Sequence, residues 1–356
     1  MHDVRVQTLL SGITSRRIQT DRLTVNILEL DGRAEGVPVL FVHGNGSSGL
    51  FWQETMLALP EQFRPIALDL RGYGDTDPEP VDATRGVRDY TDDVASLVFE
   101  LRLAPVHLVG WSLGGGVVLQ YLFDAPQQIA SLTLVNPVSP FGFGGTGGVE
   151  GTLLDPSAAG TGGACANPGF VERLATGDRG DDSAVSPRQV LLAHYVKPGF
   201  VPVMLDVFVE SMLSTRTGDD HYPGTSTVTD VWPGFAPGER GVLNTLSPKY
   251  FRIDDLSNVD PKPPVLWVRG VDDVIVSDTS LYDLAYLGSL GVIPGWPGAE
   301  AAPPQPMVAQ TRSVLDGYAA AGGSYREVAI ADAGHSPFLE QPAEFLAAFE
   351  EHLGSA

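Results

Sequence analysis

A serine at position 112 lies in the segment G-W-S-L-G of residues 110–114, between an apolar run and a run with helical spacing. Small residues two positions either side of such a serine let a strand and a helix meet in a sharp turn, which holds the serine in a strained conformation at its tip. The helix that follows presents unpaired N–H groups to negative charge that develops beside the hydroxyl. We therefore predict that Ser112 is a nucleophile.

A serine hydroxyl is a weak nucleophile until a base takes its proton, and the base needs a carboxylate that holds its tautomer. His335 is the predicted base because it stands on a loop between a strand and the last helix, where a side chain can overhang the carboxyl edge of a parallel sheet. Asp272 and Asp273 both emerge from a buried strand, and we expect one of them to face His335. The order serine, aspartate, histidine is not that of chymotrypsin or subtilisin.

The elements that must position these residues follow from the spacing of apolar residues. Strand-like runs occur at residues 23–30, 37–42, 65–70, 106–110, 132–135, 264–270 and 325–330. Helical spacing occurs at residues 89–103, 113–123, 308–320 and 343–353. This alternation predicts an α/β fold with a mostly parallel, doubly wound sheet flanked by helices.

The alternation of predicted strands and helices stops at residue 137 and resumes at residue 259. Residues 138–258 are rich in glycine and carry scattered aromatic side chains without a steady period, and residues 142–163 are expected to form a mobile or irregular loop. The sequence therefore predicts one core, residues 1–137 and 259–356, interrupted by an inserted segment, residues 138–258.

These motifs together resemble those of the α/β-hydrolase superfamily, and the resemblance covers the whole core. In that family the acid usually stands three residues after the glycine that ends its strand, which selects Asp273, after Gly270, over Asp272. Relatives similar to haloalkane dehalogenases and epoxide hydrolases use an aspartate where this chain has Ser112, and a serine requires an acyl carbonyl instead. The resemblance therefore implies a serine hydrolase that cleaves a carboxylic ester or lactone through an acyl-enzyme.

The segment His43-Gly44-Asn45-Gly46 follows a predicted strand and resembles the oxyanion loop of the same family. By this resemblance, the backbone N–H groups of Asn45 and Leu113 would hold the oxyanion of the tetrahedral intermediate. We expect His43 to hydrogen-bond the loop backbone and not to take part in the chemistry.

The inserted segment resembles in position the cap or lid that family members carry over the active site. Its supply of aromatic and methionine side chains suits an apolar pocket and indicates a bulky or hydrophobic substrate. We expect most of these side chains to pack the lid onto the core, and residues 282–306 to extend it. Trp111, His194 and His221 are candidates for contacts with substrate.

The charge and cysteine content of the chain limit the kinds of partner and cofactor that we expect for it. The formal charge of -22 opposes binding to nucleic acid and to anionic membranes, so a small-molecule acyl substrate is the expected partner. The single cysteine excludes an internal disulfide and a cysteine-ligated zinc site, and we predict no cofactor and no metal. The first residues lack the apolar stretch of a signal peptide, so we expect a cytoplasmic protein. The oligomeric state does not follow from the sequence.

Other reactions fit the same catalytic residues. An aminopeptidase, a C–C bond hydrolase, a perhydrolase and an acyltransferase would differ only in pocket residues, and a carboxylate that binds an amine would favour the peptidase. A homologue of the same fold that binds a ligand without turnover is the alternative from a different functional class.

Overall fold

The computed structural model describes residues 6–355, and its centre is an eight-stranded sheet. The strands are β1 Ile13–Gln19, β2 Thr24–Leu30, β3 Val37–Val42, β4 Phe63–Leu68, β5 Val106–Trp111, β6 Ile129–Val135, β7 Val265–Gly270 and β8 Tyr325–Ile330. They lie in the order β1-β2-β4-β3-β5-β6-β7-β8. Strand β2 pairs antiparallel with both of its neighbours, and all other pairs are parallel. The predicted mostly parallel α/β sheet is confirmed.

Ten α-helices accompany the sheet among the described residues: α1 Gln53–Ala58, α2 Arg88–Glu100, α3 Leu113–Asp124, α4 Pro168–Thr176, α5 Pro187–Val190, α6 Leu205–Leu213, α7 Leu284–Ser289, α8 Met307–Ala320, α9 Pro337–Glu340 and α10 Pro342–Ser355. The four helices predicted from apolar spacing correspond to α2, α3, α8 and α10. Within residues 6–355, no helix is long and apolar enough to cross a bilayer. Residues 1–5, on which the signal-peptide prediction partly rests, lie outside the described residues.

Two features of the sheet differ from the sequence prediction. Strand β1 was not predicted because only Ile13 and Ile18 are buried in it, so its side chains show no regular alternation. Strand β4 ends at Leu68, two residues before the predicted end, because the backbone N–H of Leu70 donates to His43 Nε2 at 2.9 Å and not to a neighbouring strand. The apolar run therefore continues past the last ladder bond into the site.

Residues 138–258 add no strand to the main sheet. They form helices α4, α5 and α6, a π-helical turn at Leu191–Tyr195 and three short ladders. One ladder joins Thr146–Gly147 to Thr152–Leu153 inside the stretch expected to be irregular, and the buried Phe141 packs nearby in the core. The segment is therefore folded against the sheet, although its pattern in the sequence shows no period.

Helix α3 begins in close contact with β3. A Cβ atom on Gly114 would lie 2.5 Å from the carbonyl oxygens of both Val42 and His43, which are backbone atoms that cannot rotate away. Gly317, on the exposed side of α8, has no atom within 4 Å of the position of a Cβ. These two helical glycines therefore differ only in what surrounds them.

We expect Gly114→Ala to lower the free energy of unfolding by about 1–3 kcal/mol, because the added methyl group overlaps the β3 backbone. We expect the control, Gly317→Ala, to raise it by about 0.5–1 kcal/mol, since alanine is the better helix former. Urea denaturation measures both values. An equal effect of the two substitutions would contradict the close packing of α3 on β3.

Candidate active site

Ser112 occupies the turn between β5 and α3 in a strained backbone conformation, with φ 57° and ψ -118°. Such a positive φ is unusual for a residue with a side chain. The strand and the helix on either side of this turn are in close contact, because a Cβ on Gly110 would lie 2.3 Å from the carbonyl oxygen of Gly114. A Cβ on Gly44 would lie 2.9 Å from Cβ of Ser112. The three glycines therefore bring β3, β5 and α3 together at the serine.

His335 and Asp273 are hydrogen-bonded to each other. The distance from His335 Nδ1 to Asp273 Oδ2 is 2.8 Å, and both side chains are 2% exposed. The other carboxylate oxygen, Oδ1, accepts the backbone N–H groups of Ile275 and Val276 at 2.7 and 3.2 Å. With the proton on Nδ1, the Nε2 atom of His335 is left as an acceptor.

Asp272, the other candidate for the acid, faces away from His335. Its carboxylate pairs with Lys197 Nζ at 2.8 Å, and its side chain is 40% exposed. The same ammonium pairs with Asp332 at 2.8 Å. The structure therefore places Asp273, and not Asp272, against the histidine.

Three side chains that the sequence analysis did not assign to the site, or assigned differently, hold the His335 loop. The carbonyl oxygen of His335 accepts the indole N–H of Trp111 and the amide of Asn136, both at 2.8 Å. The buried carboxylate of Glu340 accepts the backbone N–H groups of Gly334 and Ser336, and burial raises the pKa of this carboxyl. Glu340 lies only six residues after Gly334, so the sequence could have suggested this contact. The contact of Asn136 with His335 joins residues 199 positions apart, and no local pattern in the sequence indicates it.

The loop after β3 presents the N–H of Asn45 to the site. The carbonyl oxygen of Gly44 lies 2.7 Å from His43 Nδ1 and accepts the hydroxyl of Ser47 at 2.8 Å. Because a trans peptide points its N–H opposite to its carbonyl, these bonds also set the direction of the Asn45 N–H. Within residues 6–355, no protein acceptor receives the N–H of Asn45 or of Leu113. Two backbone donors therefore remain unused beside Ser112.

His43 is uncharged in this arrangement. Its Nδ1 must carry the proton because it faces a carbonyl, and its Nε2 must be free because it accepts the N–H of Leu70. Burial lowers its pKa to about 4, although the hydrogen bond to Gly44 opposes this shift. His43 hydrogen-bonds the loop backbone, as its place in the sequence suggested.

A short piece of the inserted segment reaches each loop of the site. The hydroxyl of Tyr195 donates to the carbonyl oxygen of Asn45 at 2.7 Å, and a Cβ on Gly46 would lie 2.7 Å from that hydroxyl. Two residues on, the backbone N–H of Lys197 donates to Glu340 at 2.6 Å, beside the His335 loop. The π-helical turn Leu191–Tyr195 precedes these contacts, and such turns are frequent at functional sites.

A cavity of about 450 Å³ lies beside the nucleophile, and 26 residues line it. Among them are the predicted site residues Asn45, Ser112, Leu113, His194 and His335. Four of the aromatic residues of the inserted segment also line it: Phe143, Phe170, Tyr195 and Tyr222. Residues 282–306, expected to extend the lid, contribute Tyr282, Leu284, Leu287 and Ile293.

Trp111 and His221, which the sequence suggested as contacts for substrate, are not among the lining residues. Trp111 is fully buried, and its ring packs against the rings of Phe51, Tyr195 and Phe338. His221 lies against the loop at Gly72, where a Cβ would come within 3.3 Å of its Nδ1. The structure assigns the first to support of the His335 loop and separates the second from the cavity.

A family model described as "Alpha/beta hydrolase family" matches residues 39–348. A 2-(acetamidomethylene)succinate hydrolase of Mesorhizobium japonicum is 36% identical over 123 residues, which are 34% of this chain and 42% of that protein. The dihydrolipoyllysine-residue acetyltransferase component of an acetoin cleaving system, from Cupriavidus necator, is 36% identical over 124 residues, 35% of this chain and 31% of that protein. The chain thus spans less than half the length of these two curated relatives.

The solved structure of the esterase RhEst1 from a Rhodococcus species is similar to this chain over 97% of its residues and 99% of that chain. The TM-score is 0.58 and the sequence identity is 21%. A likeness at this identity concerns the fold alone.

The neutral state of His43 predicts a loss of stability in acid. The folded pKa of about 4 lies below the ordinary value of 6.5, so between these values the unfolded chain binds the proton and the folded chain does not. The free energy of unfolding should therefore fall as the pH is lowered from 6.5 to 4, with up to about 3 kcal/mol from His43. Urea unfolding of the wild type and of His43→Gln should show a smaller fall for the variant, and equal slopes would contradict this assignment.

Proposed function

Because this chain belongs to the alpha/beta hydrolase family, we propose that it is a serine hydrolase that cleaves a carboxylic ester or lactone of a bulky or hydrophobic substrate. The match to the family and the mostly parallel sheet confirm the α/β-hydrolase fold expected from the sequence. The observation that carries the proposal is the buried hydrogen bond between Asp273 and His335 at a cavity that Ser112 also lines.

In the proposed reaction, Nε2 of His335 takes the proton of Ser112 while Oγ attacks the acyl carbonyl. Asp273 holds the proton on Nδ1 and stabilises the imidazolium that forms. The N–H groups of Asn45 and Leu113 donate to the oxyanion, in a place where residues 6–355 offer them no other acceptor. The imidazolium then protonates the leaving alcohol, and the acyl group remains on Ser112.

Deacylation repeats these steps with water as the nucleophile. His335 takes a proton from the water, the two N–H groups hold the second oxyanion, and Ser112 leaves with the proton that the imidazolium returns. The strained backbone at Ser112 keeps the hydroxyl at the tip of the turn through both half-reactions. The inserted segment, which supplies much of the cavity wall, would act as the lid that limits access of water.

Three alternatives to hydrolysis of an ester differ in whether they use an acyl-enzyme on Ser112. Transfer of the acyl group to an acceptor other than water is an alternative because one relative is named as an acetyltransferase component. An aminopeptidase is disfavoured, since no Asp or Glu of the described part of the chain lines the cavity to bind a substrate amine. A homologue that binds ligand without turnover is the alternative outside enzymes, and labelling of Ser112 separates it from the proposal.

We expect a fluorophosphonate probe to label the wild-type protein at Ser112 and the protein to hydrolyse p-nitrophenyl esters. Ser112→Ala should abolish both labelling and turnover, because the proposed mechanism forms the acyl-enzyme on the hydroxyl of Ser112. Ser313→Ala, which removes an exposed hydroxyl on α8, is the control and should change neither. Intact-protein mass spectrometry and release of p-nitrophenol measure the two effects, and an unlabelled, inactive wild type would refute the enzyme.

The aspartates provide a matched pair. Asp273→Asn should lower kcat by about 10⁴-fold, because an amide in place of the carboxylate favours the wrong tautomer of His335. Asp272→Asn should leave kcat within about tenfold, since it loses only a partly exposed pair with Lys197. Steady-state kinetics on one ester, for both variants, tests the assignment, and the reverse order of effects would overturn it.

A further inference from the structure

Over residues 6–355, the wall of the cavity at Ser112 has no lysine, arginine or carboxylate side chain. None of its 26 lining residues is a lysine, arginine, aspartate or glutamate. Two lining residues are histidines: His335 is bound to Asp273, and burial lowers the pKa of His194, which keeps that ring neutral near pH 7. A carboxylate or ammonium group on a ligand would therefore find no counter-ion in the cavity wall.

A charged group that enters such a cavity loses its hydration without an ion pair in return. The cost is several kcal/mol in proteins, far more than the gain from one neutral hydrogen bond. The formal charge of -22 adds a repulsive field for anions outside the cavity. It does not favour cations inside, because the acidic side chains of the surface do not reach the wall.

The cavity does offer neutral hydrogen-bond donors. Tyr222 and Tyr282 both line it, and within residues 6–355 neither hydroxyl has a hydrogen-bond partner. Burial, followed by the nearby phenol of Tyr282, raises the pKa of Tyr222. Desolvation of the hydroxyl, followed by the nearby Asp273, raises the pKa of Tyr282, whose side chain is 39% exposed as a whole, so both remain protonated. The third tyrosine of the wall, Tyr195, uses its hydroxyl on Asn45.

We infer that the substrate is an uncharged ester whose chain carries a neutral acceptor, such as a carbonyl or ether oxygen, to which Tyr222 or Tyr282 donates. This inference rests on the proposed function and names the substrate class of the same site. It separates this protein from the relative named for a succinate, whose substrate carries carboxylates that this cavity has no cation to hold.

Three p-nitrophenyl esters of similar length test the role of charge: the octanoate, the methyl adipate and the hydrogen adipate, whose free carboxyl is ionised at neutral pH. We expect kcat/KM for the hydrogen adipate to be at least about 100-fold below that for the methyl adipate. The value of kcat/KM for the hydrogen adipate, divided by that for the methyl adipate, should rise about tenfold for each unit that the pH falls toward the pKa of the substrate carboxyl. The reason is that only the protonated form of the hydrogen adipate is a substrate. Equal kcat/KM for the charged and uncharged adipates would overturn the inference.

Tyr222→Phe and Tyr282→Phe test the donors. Two substrates carry an acceptor: the methyl adipate ester has it in the acyl part, and the acetate of methyl 6-hydroxyhexanoate has it in the alcohol part. Their reference substrates without an acceptor are the octanoate and octyl acetate. At least one of the two variants should raise KM about tenfold for one acceptor substrate and leave KM for its reference substrate unchanged. Tyr286→Phe is the matched control, because that ring is absent from the cavity wall.

If the wild type cleaves these esters but neither variant changes KM for either acceptor substrate, the assignment of the two tyrosines fails and the proposed function stands. If the wild type cleaves none of them and is not labelled at Ser112, the proposed function fails and this inference fails with it. These outcomes are distinguished by the fluorophosphonate reaction, which needs only the nucleophile and its base.

Discussion

The close approach of three backbone segments at Ser112 is the constraint on which the site depends. Strand β3, strand β5 and helix α3 meet where Gly44, Gly110 and Gly114 carry no side chain, and the contacts leave no room for one. The serine takes up the resulting strain, with a positive φ that costs about 1–3 kcal/mol. Burial of the surrounding strands outweighs this cost, so the hydroxyl is held at the tip of the turn by the backbone.

The other loops of the site are held by bonds between backbone groups and buried side chains. Trp111, Asn136 and Glu340 fix the loop of His335, while His43 and Tyr195 fix the loop of Asn45. Each bond satisfies a buried polar group, and each also sets the direction of a group that faces the cavity. The interactions that stabilise the fold around the site therefore also preorganise the groups that face the cavity.

The surface and the cavity of this protein have opposite electrostatic characters. A formal charge of -22 surrounds a cavity whose lining, over residues 6–355, includes two histidines but no lysine, arginine, aspartate or glutamate. The ionised carboxylate nearest to the chemistry, Asp273, lies behind His335, where two backbone N–H groups and the imidazole satisfy it. A neutral cavity suits a reaction in which charge develops only at the oxyanion and the imidazole, because the fixed donors there have no competing ions.

The sequence by itself determined seven of the eight strands of the sheet, the four main helices, the nucleophile turn and the order of the candidate residues, because these depend on local apolar spacing and on glycines close in the chain. From the residues alone two adjacent aspartates stayed open, and the family resemblance selected Asp273. The tertiary structure places that carboxylate against His335, where the N–H groups of Ile275 and Val276 hold it. The cavity wall also required the fold. Its residues come from segments far apart in the chain, and side-chain direction at each one depends on packing that no local period records.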